Sequence, residues 1–345
     1  MKRLIYNSIV AALCLLLTVP AMAAKTEAQR PEHFAYAVDN KTTFELVNRY
    51  GDVNIENILS DSLIIDVEIK VRAKNTDECN KKLAKISIVP TVTGGQIKVQ
   101  TEVDGSIDDY TVNYRVKMPA YLNLNLFNKY GNVVADKLLG KSNLKVNYGT
   151  LKLNKLYDQT GGFPTVELSY SSNSSIEEIE LGGITMSYSD VNVGSGKSVA
   201  VAGKYSNITI GYASSLALEA AYGNVNVDKV AKIDLNARYT NVEISEVSDY
   251  AQIVLSYGDL RSIGLASGCR GVDVETKYAN TKIDASRLKK DDYQLDLNTH
   301  YGSINIPNNN KMVIKGTSSY YATGDGNAHT KIKVTSKYGD IKIED

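Results

Sequence analysis

Between Tyr188 and Tyr257 one short phrase recurs five times: Tyr188-Ser-Asp-Val-Asn-Val, Tyr205-Ser-Asn-Ile-Thr-Ile, Tyr222-Gly-Asn-Val-Asn-Val, Tyr239-Thr-Asn-Val-Glu-Ile and Tyr257-Gly-Asp-Leu-Arg. The tyrosine-to-tyrosine steps are 17, 17, 17 and 18 residues. A period this short and this regular is the mark of stacked structural units, each too small to bury its own apolar face. Few other architectures tolerate it.

Each unit has the same anatomy. Ahead of the tyrosine, apolar and polar residues alternate, as at Leu216, Leu218 and Ala220 or Ile233, Leu235 and Ala237. That period of two predicts a strand with one buried face. After the tyrosine come Gly, Ser, Thr or Ala and then Asn or Asp, which suit a turn because Gly accepts positive φ and Asx side chains bond nearby backbone. The apolar parity then shifts by one, to Val225 and Val227 beyond Tyr222, as a corner or bulge would require. Small residues two positions before many tyrosines (Gly203, Ala220, Ala237, Thr276, Thr299) suggest rings leaning inward. Stacking such units ~4.8 Å apart would set Tyr on Tyr and Asn on Asn. The expected fold is all-β, a parallel β-solenoid with coils of 17–23 residues. An antiparallel meander is the rival, but it needs no equal period.

The corner tyrosines form a structural ladder running through Tyr50, Tyr130, Tyr148, Tyr170, Tyr188, Tyr205, Tyr222, Tyr239, Tyr257, Tyr278, Tyr301 and Tyr338. The serine-rich stretch after Tyr170 predicts a looser corner there. The 37 residues between Tyr301 and Tyr338 suggest two coils with Tyr320 as the intervening corner, and turn-rich loops are expected at Pro307 to Asn310 and Gly324 to Ala328. The 80 residues between Tyr50 and Tyr130 are too many for one coil. They read as a strand at Ser62 to Ala73, a short helix from Thr76 capped by Asn75 or Thr76, a hairpin about Gly94-Gly95, and a strand at Tyr110 to Met118, together an N-terminal cap.

Residues 1–23 read as an export signal, with Lys2 and Arg3 ahead of an apolar run and Ala21-Met22-Ala23 as a cleavage site before Ala24. Cys14 does not sit in a lipoprotein box. Residues 24–41 are polar and predict a flexible leader, 42–127 the first coil and cap, and 128–345 the repeat array. Beyond the signal no apolar run approaches the ~20 residues of a spanning helix. An exported, periplasmic, surface or secreted protein is expected.

Lys plus Arg equals Asp plus Glu at 39 each, which gives no electrostatic case for nucleic acid. Cys79 and Cys269, the cysteines that survive signal removal, are expected to be unpaired thiols. His33, His300 and His329 lie in no metal-ligand spacing, and Gly194-Ser195-Gly196 opens no helix as a phosphate loop must. The Asp and Asn at the corners (Asp52, Asp190, Asn207, Asn224, Asn241, Asp259, Asp340) read as turn residues or an amide ladder rather than calcium ligands. No catalytic, cofactor-binding or metal residues are assigned. Outward residues such as Lys204, Arg238, Glu243 and Lys277 alternate in sign without a carboxylate pair.

The repeated Tyr-Gly-Asp/Asn-Val phrase and the cap ending in Val116-Lys117-Met118-Pro119 resemble the putative-adhesin domains of bacterial cell envelopes, related to auto-transporter adhesin head domains. The resemblance covers about Thr42 to Asp345. It implies a β-helix, right-handed by analogy, in an exported protein with an adhesive role, and it brings no catalytic residues to carry over. The expected function is a non-enzymatic solenoid presenting an extended surface to an unknown glycan or envelope or host protein. A carbohydrate-active lyase or hydrolase, with its groove in the long late coils from Tyr257 to Asn327, and a self-associating structural protein are the alternatives.

Overall fold

The computed structural model describes residues 25–289, 292–306, 313–315, 317–323 and 328–345. The stretch expected to be an export signal with its cleavage site, Cys14, the loop expected at Pro307 to Asn310 and most of that expected at Gly324 to Ala328 lie outside the described residues. The protein is all-β, and the 24 strands of the described residues belong to one continuous hydrogen-bonded sheet. The single helix among the described residues is short.

The chain begins with β1 (Thr26–Ala37), then β2 (Thr43–Arg49) and β3 (Val53–Asn57) on either side of Tyr50. There follow β4 (Ser62–Ala73), α1 (Thr76–Leu83), β5 (Ile86–Thr93), β6 (Gln96–Val103) and β7 (Tyr110–Met118). Asn75 caps α1, its side chain accepting from the Glu78 N–H at 2.9 Å. β3 runs parallel to β7, which is antiparallel to β4, which is antiparallel to β1. β2 runs parallel to β6, and β6 and β5 form the hairpin. Both strands of the first corner are thus extended by added strands, and α1 lies against β1 and β4. The bare end of a repeat stack would expose core and strand edges, and this cap covers them.

The polar stretch expected to be a flexible leader is instead the twelve-residue strand β1, paired along its whole length with β4. Its alternation is half-buried against exposed rather than apolar against polar, so hydropathy hides it. Arg30 fastens it, donating to the carbonyl oxygens of Leu83 at 2.8 Å and Ile86 at 2.6 Å.

The repeating part comprises β8 (Asn123–Lys129), β9 (Val133–Leu138), β10 (Ser142–Asn147), β11 (Leu151–Leu156), β12 (Thr165–Ser169), β13 (Ser174–Ser187), β14 (Asp190–Lys204), β15 (Asn207–Ser256), β16 (Leu260–Leu265), β17 (Gly271–Lys277) and β18 (Thr281–Asp284). Successive turns of the chain pair in parallel, one repeat apart: Asp190 opposite Asn207, Val193 opposite Ile210, Val201 opposite Leu218. Each such turn is called a rung below. The first rung, at Tyr50, sits beside the Tyr130 rung through β2–β8 and β3–β9, so the cap is an excursion between neighbouring rungs. Apolar residues of both parities point inward and form one core, including Leu216, Leu218, Val225 and Val227 about Tyr222. Cys79 and Cys269 are buried free thiols, and burial pushes the Cys269 thiol up.

The chain then departs from serial order. β19 (Tyr293–His300), β20 (Ile304–Asn305), β21 (Val313–Lys315) and β22 (Ser318–Ala322) precede β23 (Thr330–Lys337) and β24 (Ile341–Glu344). β23 lies between β17 and β19, parallel to both, and β24 lies between β18 and β20. The chain skips a rung after Tyr278, builds the Tyr301 rung, and returns to fill the gap with the Tyr338 rung. Tyr320 is not an intervening corner: it lies on β22, antiparallel to β19 and opposite Asn298. The long step from Tyr301 to Tyr338 therefore holds an end hairpin and an inserted rung.

Candidate functional site: the outer tyrosine column

At every corner the tyrosine itself carries the unusual backbone. All twelve have φ between 50° and 61°, and among the described residues only two other non-glycine residues, Asp109 and Asn173, have positive φ. A bulky side chain in this left-handed region costs about 1–2 kcal/mol. The glycines that follow the tyrosines do not supply the positive φ that the sequence suggested. They supply space. A Cβ on Gly131 would lie 1.9 Å from the Gly51 carbonyl oxygen, and one on Gly223 would lie 1.8 Å from that of Ser206.

This geometry reverses the expected facing of the rings. The residue after the tyrosine turns inward, as at Ser171, Ser189 and Thr240, all buried. The tyrosine is thrown outward, and from Tyr148 to Tyr338 the rings are 38–51 % exposed. The small residues two positions before the tyrosines accommodate the core side of the corner, not a ring. At the ends of the array that position is polar: Asn48, Asn128, Thr299 and Ser336 are buried and bond nearby corner carbonyls.

The exposed rings, with the half-buried Tyr50 and Tyr130, form one column. In spatial order it runs Tyr50, Tyr130, Tyr148, Tyr170, Tyr188, Tyr205, Tyr222, Tyr239, Tyr257, Tyr278, Tyr338 and Tyr301, with neighbouring centroids 4.6–5.0 Å apart and planes within 27° of parallel. Tyr170, expected in a looser corner, stacks as closely as the others, at 4.7 and 5.0 Å. Carbon atoms in contact lie ~3.5–4.0 Å apart, so this spacing means offset stacking. The column is roughly 50 Å long at one strand spacing per ring. Tyr110 meets Tyr50 edge-on at one end and His300 meets Tyr301 at the other.

Because each ring covers its neighbours' faces, water meets ring edges and hydroxyls only. A sugar stacking on tyrosine faces has nowhere to sit along the interior. Beside the rings runs a basic row, of which the sequence reading placed Lys204, Arg238 and Lys277 outward but grouped them with Glu243 as alternating in sign: Arg49, Lys129, Lys204, Arg238, Lys277 and Lys337 each precede a corner tyrosine and lie 4.8–5.7 Å from its centroid. The spacing was visible as a Lys or Arg directly before half of the tyrosines, but rings assigned inward left it without meaning.

On the other side of the rings the corner Asp and Asn bond rung to rung. The Asp52 carboxylate accepts from the Asn132 N–H at 2.7 Å, Asn207 donates to Asp190 at 2.7 Å, and Asn224 donates to Asn207 at 2.9 Å. No group of three or more His, Cys, Asp or Glu placed to hold a metal occurs among the described residues.

Two of the concavities among the described residues lie off the column. At the cap, a cleft of about 460 Å³ is lined by Glu32, His33, Asp66, Glu68 and Arg115, with His33 Nδ1 2.7 Å from the Asp66 carboxylate. Farther along, a shallow trough of about 570 Å³ is floored by Gly183, Ala200 and Ala217 and bounded by Phe163, Glu219 and Asp234. His300 bonds Ser318 at 2.7 Å, and His329 lies 3.4 Å from the Gly268 carbonyl. No helix of the described residues is long and apolar enough to cross a membrane.

A search of curated proteins found no match to this chain. Among solved structures it is similar to a putative cell adhesion protein from Clostridium sporogenes, at 12% identity over 91% of this chain and 99% of that one, with a TM-score of 0.19. It is also similar to a putative lipid binding protein from Parabacteroides distasonis, at 13% identity over 91% and 97% with a TM-score of 0.34. A putative adhesin from Parabacteroides merdae aligns at 10% identity over 92% and 97%, with a TM-score of 0.32. Similarity at this level carries no argument about activity. The sequence model of one family covers residues 52–344, most of the chain. The protein belongs to the Toastrack DUF4097 family.

Proposed function

We propose that the protein is an exported, non-enzymatic β-solenoid, right-handed by analogy, that presents an extended surface for binding a glycan or protein at the cell envelope. One observation carries this reading. Ten of the twelve stacked rings, from Tyr148 to Tyr338, are exposed, and with the basic row beside them they line the outside over most of the length of the stack.

The test is a binding screen of residues 24–345 against arrayed glycans and extracellular-matrix proteins, with release of sugar reducing ends assayed in parallel. Saturable binding without release is the expected result. Binding to nothing at all would remove the reading. A second reading, a carbohydrate-active hydrolase or lyase, has the acidic cap cleft about His33 and Asp66 behind it. Reducing-end release that disappears on Asp66→Asn would move that reading to first place.

A further inference from the structure

We infer that the basic flank of the tyrosine column binds a linear acidic polysaccharide, an inference that rests on the binding-surface reading and names its ligand class.

Four observations converge. First, the ring faces are occupied by one another at 4.6–5.0 Å, so the column offers edges and hydroxyls rather than platforms for a neutral sugar. Ring edges carry the positive end of the aromatic quadrupole, and hydroxyls donate hydrogen bonds. Second, all twelve corners are Tyr and none is Phe, although stacking needs no hydroxyl. Of the twelve corner hydroxyls only that of Tyr50 has a side-chain partner among the described residues, Arg49 at 3.2 Å. The other hydroxyls stand in a row without a use inside the protein.

Third, the residue before the corner is basic at six rungs (Arg49, Lys129, Lys204, Arg238, Lys277, Lys337) and acidic at none. None of these six makes a salt bridge among the described residues, while lysines away from the corners, such as Lys145, Lys155 and Lys333, are paired with carboxylates. The opposite flank carries Asp52, Asp190, Asp259 and Asp340, each with a carboxylate oxygen already accepting from the next rung. Glu219 and Glu275 lie two residues before Ala221 and Lys277, farther from the rings. A polyanion is therefore attracted to one side of the column and turned away from the other.

Fourth, the strip is one ring wide and roughly 50 Å long, which fits a single extended polymer. A nucleic-acid duplex, with one charge per ~1.7 Å of axis, would need a broader and denser positive face than a chain of zero formal net charge offers. Carboxylates spaced along a sugar chain would pair with Lys and Arg and accept from the phenol hydroxyls between them. Each exposed contact is weak alone. Many in line give avidity.

Affinity electrophoresis of the full chain through gels containing polygalacturonate, dextran or single-stranded polydeoxythymidylate tests the inference. Polygalacturonate should retard the protein with affinity at least about tenfold above that for dextran, and rising salt should weaken it. The triple variant Lys204→Ser, Arg238→Ser, Lys277→Ser should lose about tenfold or more of that affinity with an unchanged circular dichroism spectrum. The control Lys152→Ser, Lys197→Ser, Lys232→Ser removes the same charge elsewhere and should lose less than about twofold. Replacing Tyr205, Tyr222 and Tyr239 by Phe should leave the Tm unchanged and weaken polygalacturonate binding. Equal affinity for dextran, equal losses in the two charge variants, or tighter binding to polydeoxythymidylate would overturn the inference. A protein that captures a neutral glycan or a matrix protein but ignores polygalacturonate would sink this inference and leave the binding-surface reading standing. One that captures nothing would sink both.

Discussion

The middle of the array and its two ends obey different rules. From Tyr188 to Tyr239 each rung follows the last in sequence and in space, 17 residues apart, with Gly203, Ala220 and Ala237 two positions before the next tyrosine. At the ends that position becomes Asn48, Asn128, Thr299 or Ser336, and the chain leaves serial order. At one end it departs for a cap between adjacent rungs; at the other it skips a rung and comes back. The middle repeats a local rule that any number of rungs could satisfy. The ends solve a global problem, since the last rung must meet water on one side. Buried polar side chains that bond corner carbonyls stiffen the places where the pattern breaks.

The largest effect should separate the two regions outright. A chain ending at residue 328 lacks Ile332, Val334, Ile341 and Ile343, all fully buried. At about 1.5–3 kcal/mol for each buried side chain, that loss is comparable to the whole ~5–15 kcal/mol of a typical domain. It should abolish the cooperative thermal transition. Deleting Ser206 to Tyr222, one complete middle repeat, should leave a cooperative melt, because the register of every other rung is kept. If both deletions unfold the protein, the distinction between middle and ends is broken.

Next in size is Gly223→Ala, in the middle. The added methyl meets the Ser206 carbonyl, and overpacking of this kind costs about 1–3 kcal/mol. Urea titration should show the midpoint falling without a change in slope. Tyr222→Ser is smaller than a buried aromatic would suggest. It loses stacking on Tyr205 and Tyr239, worth about 1–3 kcal/mol for two pairs. Tyr222→Gly loses the same stacking but relieves the left-handed backbone, so its midpoint should lie close to the parent's. If Gly and Ser cost the same, backbone strain plays no part at the corner.

The smallest effect is electrostatic and belongs to the C-terminal side. Arg270, with Lys232, holds the Asp249 carboxyl below its ordinary range. A depressed pKa gives stability that is present above the unfolded pKa and lost as pH falls toward the folded one. Arg270→Ala should therefore lower the Tm slightly near neutral pH and not at all in strong acid. The pair is exposed, so the difference should be marginal.

Much of this fold is legible in the sequence because period and alternation are local. The 17-residue step, the parity shift at the tyrosine, the Asn75-capped helix and the Gly94-Gly95 hairpin all follow from residues close together. The orientation of the tyrosines does not. Parity says only that the chain flips at the corner, and propensity assigns the positive φ to the Gly beside the tyrosine instead of the tyrosine itself. That one reversal also hid the candidate site, since a cation next to an inward ring means nothing. β1 was missed because its pairing with β4 rests on backbone bonds and on Arg30, not on hydropathy. The insertion of β23 leaves no trace in spacing, because 37 residues can hold two rungs or a hairpin and a return equally well.

The inserted rung has a consequence for how the molecule is made. β23 and β24 leave the ribosome after the two rungs that grip them. The stack cannot simply wind up behind the emerging chain, one turn per repeat. Until Tyr338 arrives, β17 and β19 hold open edges toward each other, and a chain stopped early carries a permanent vacancy inside an otherwise finished stack. Completion is thereby signalled by closure, and a protease or chaperone that senses unpaired strands could tell a whole molecule from a broken one.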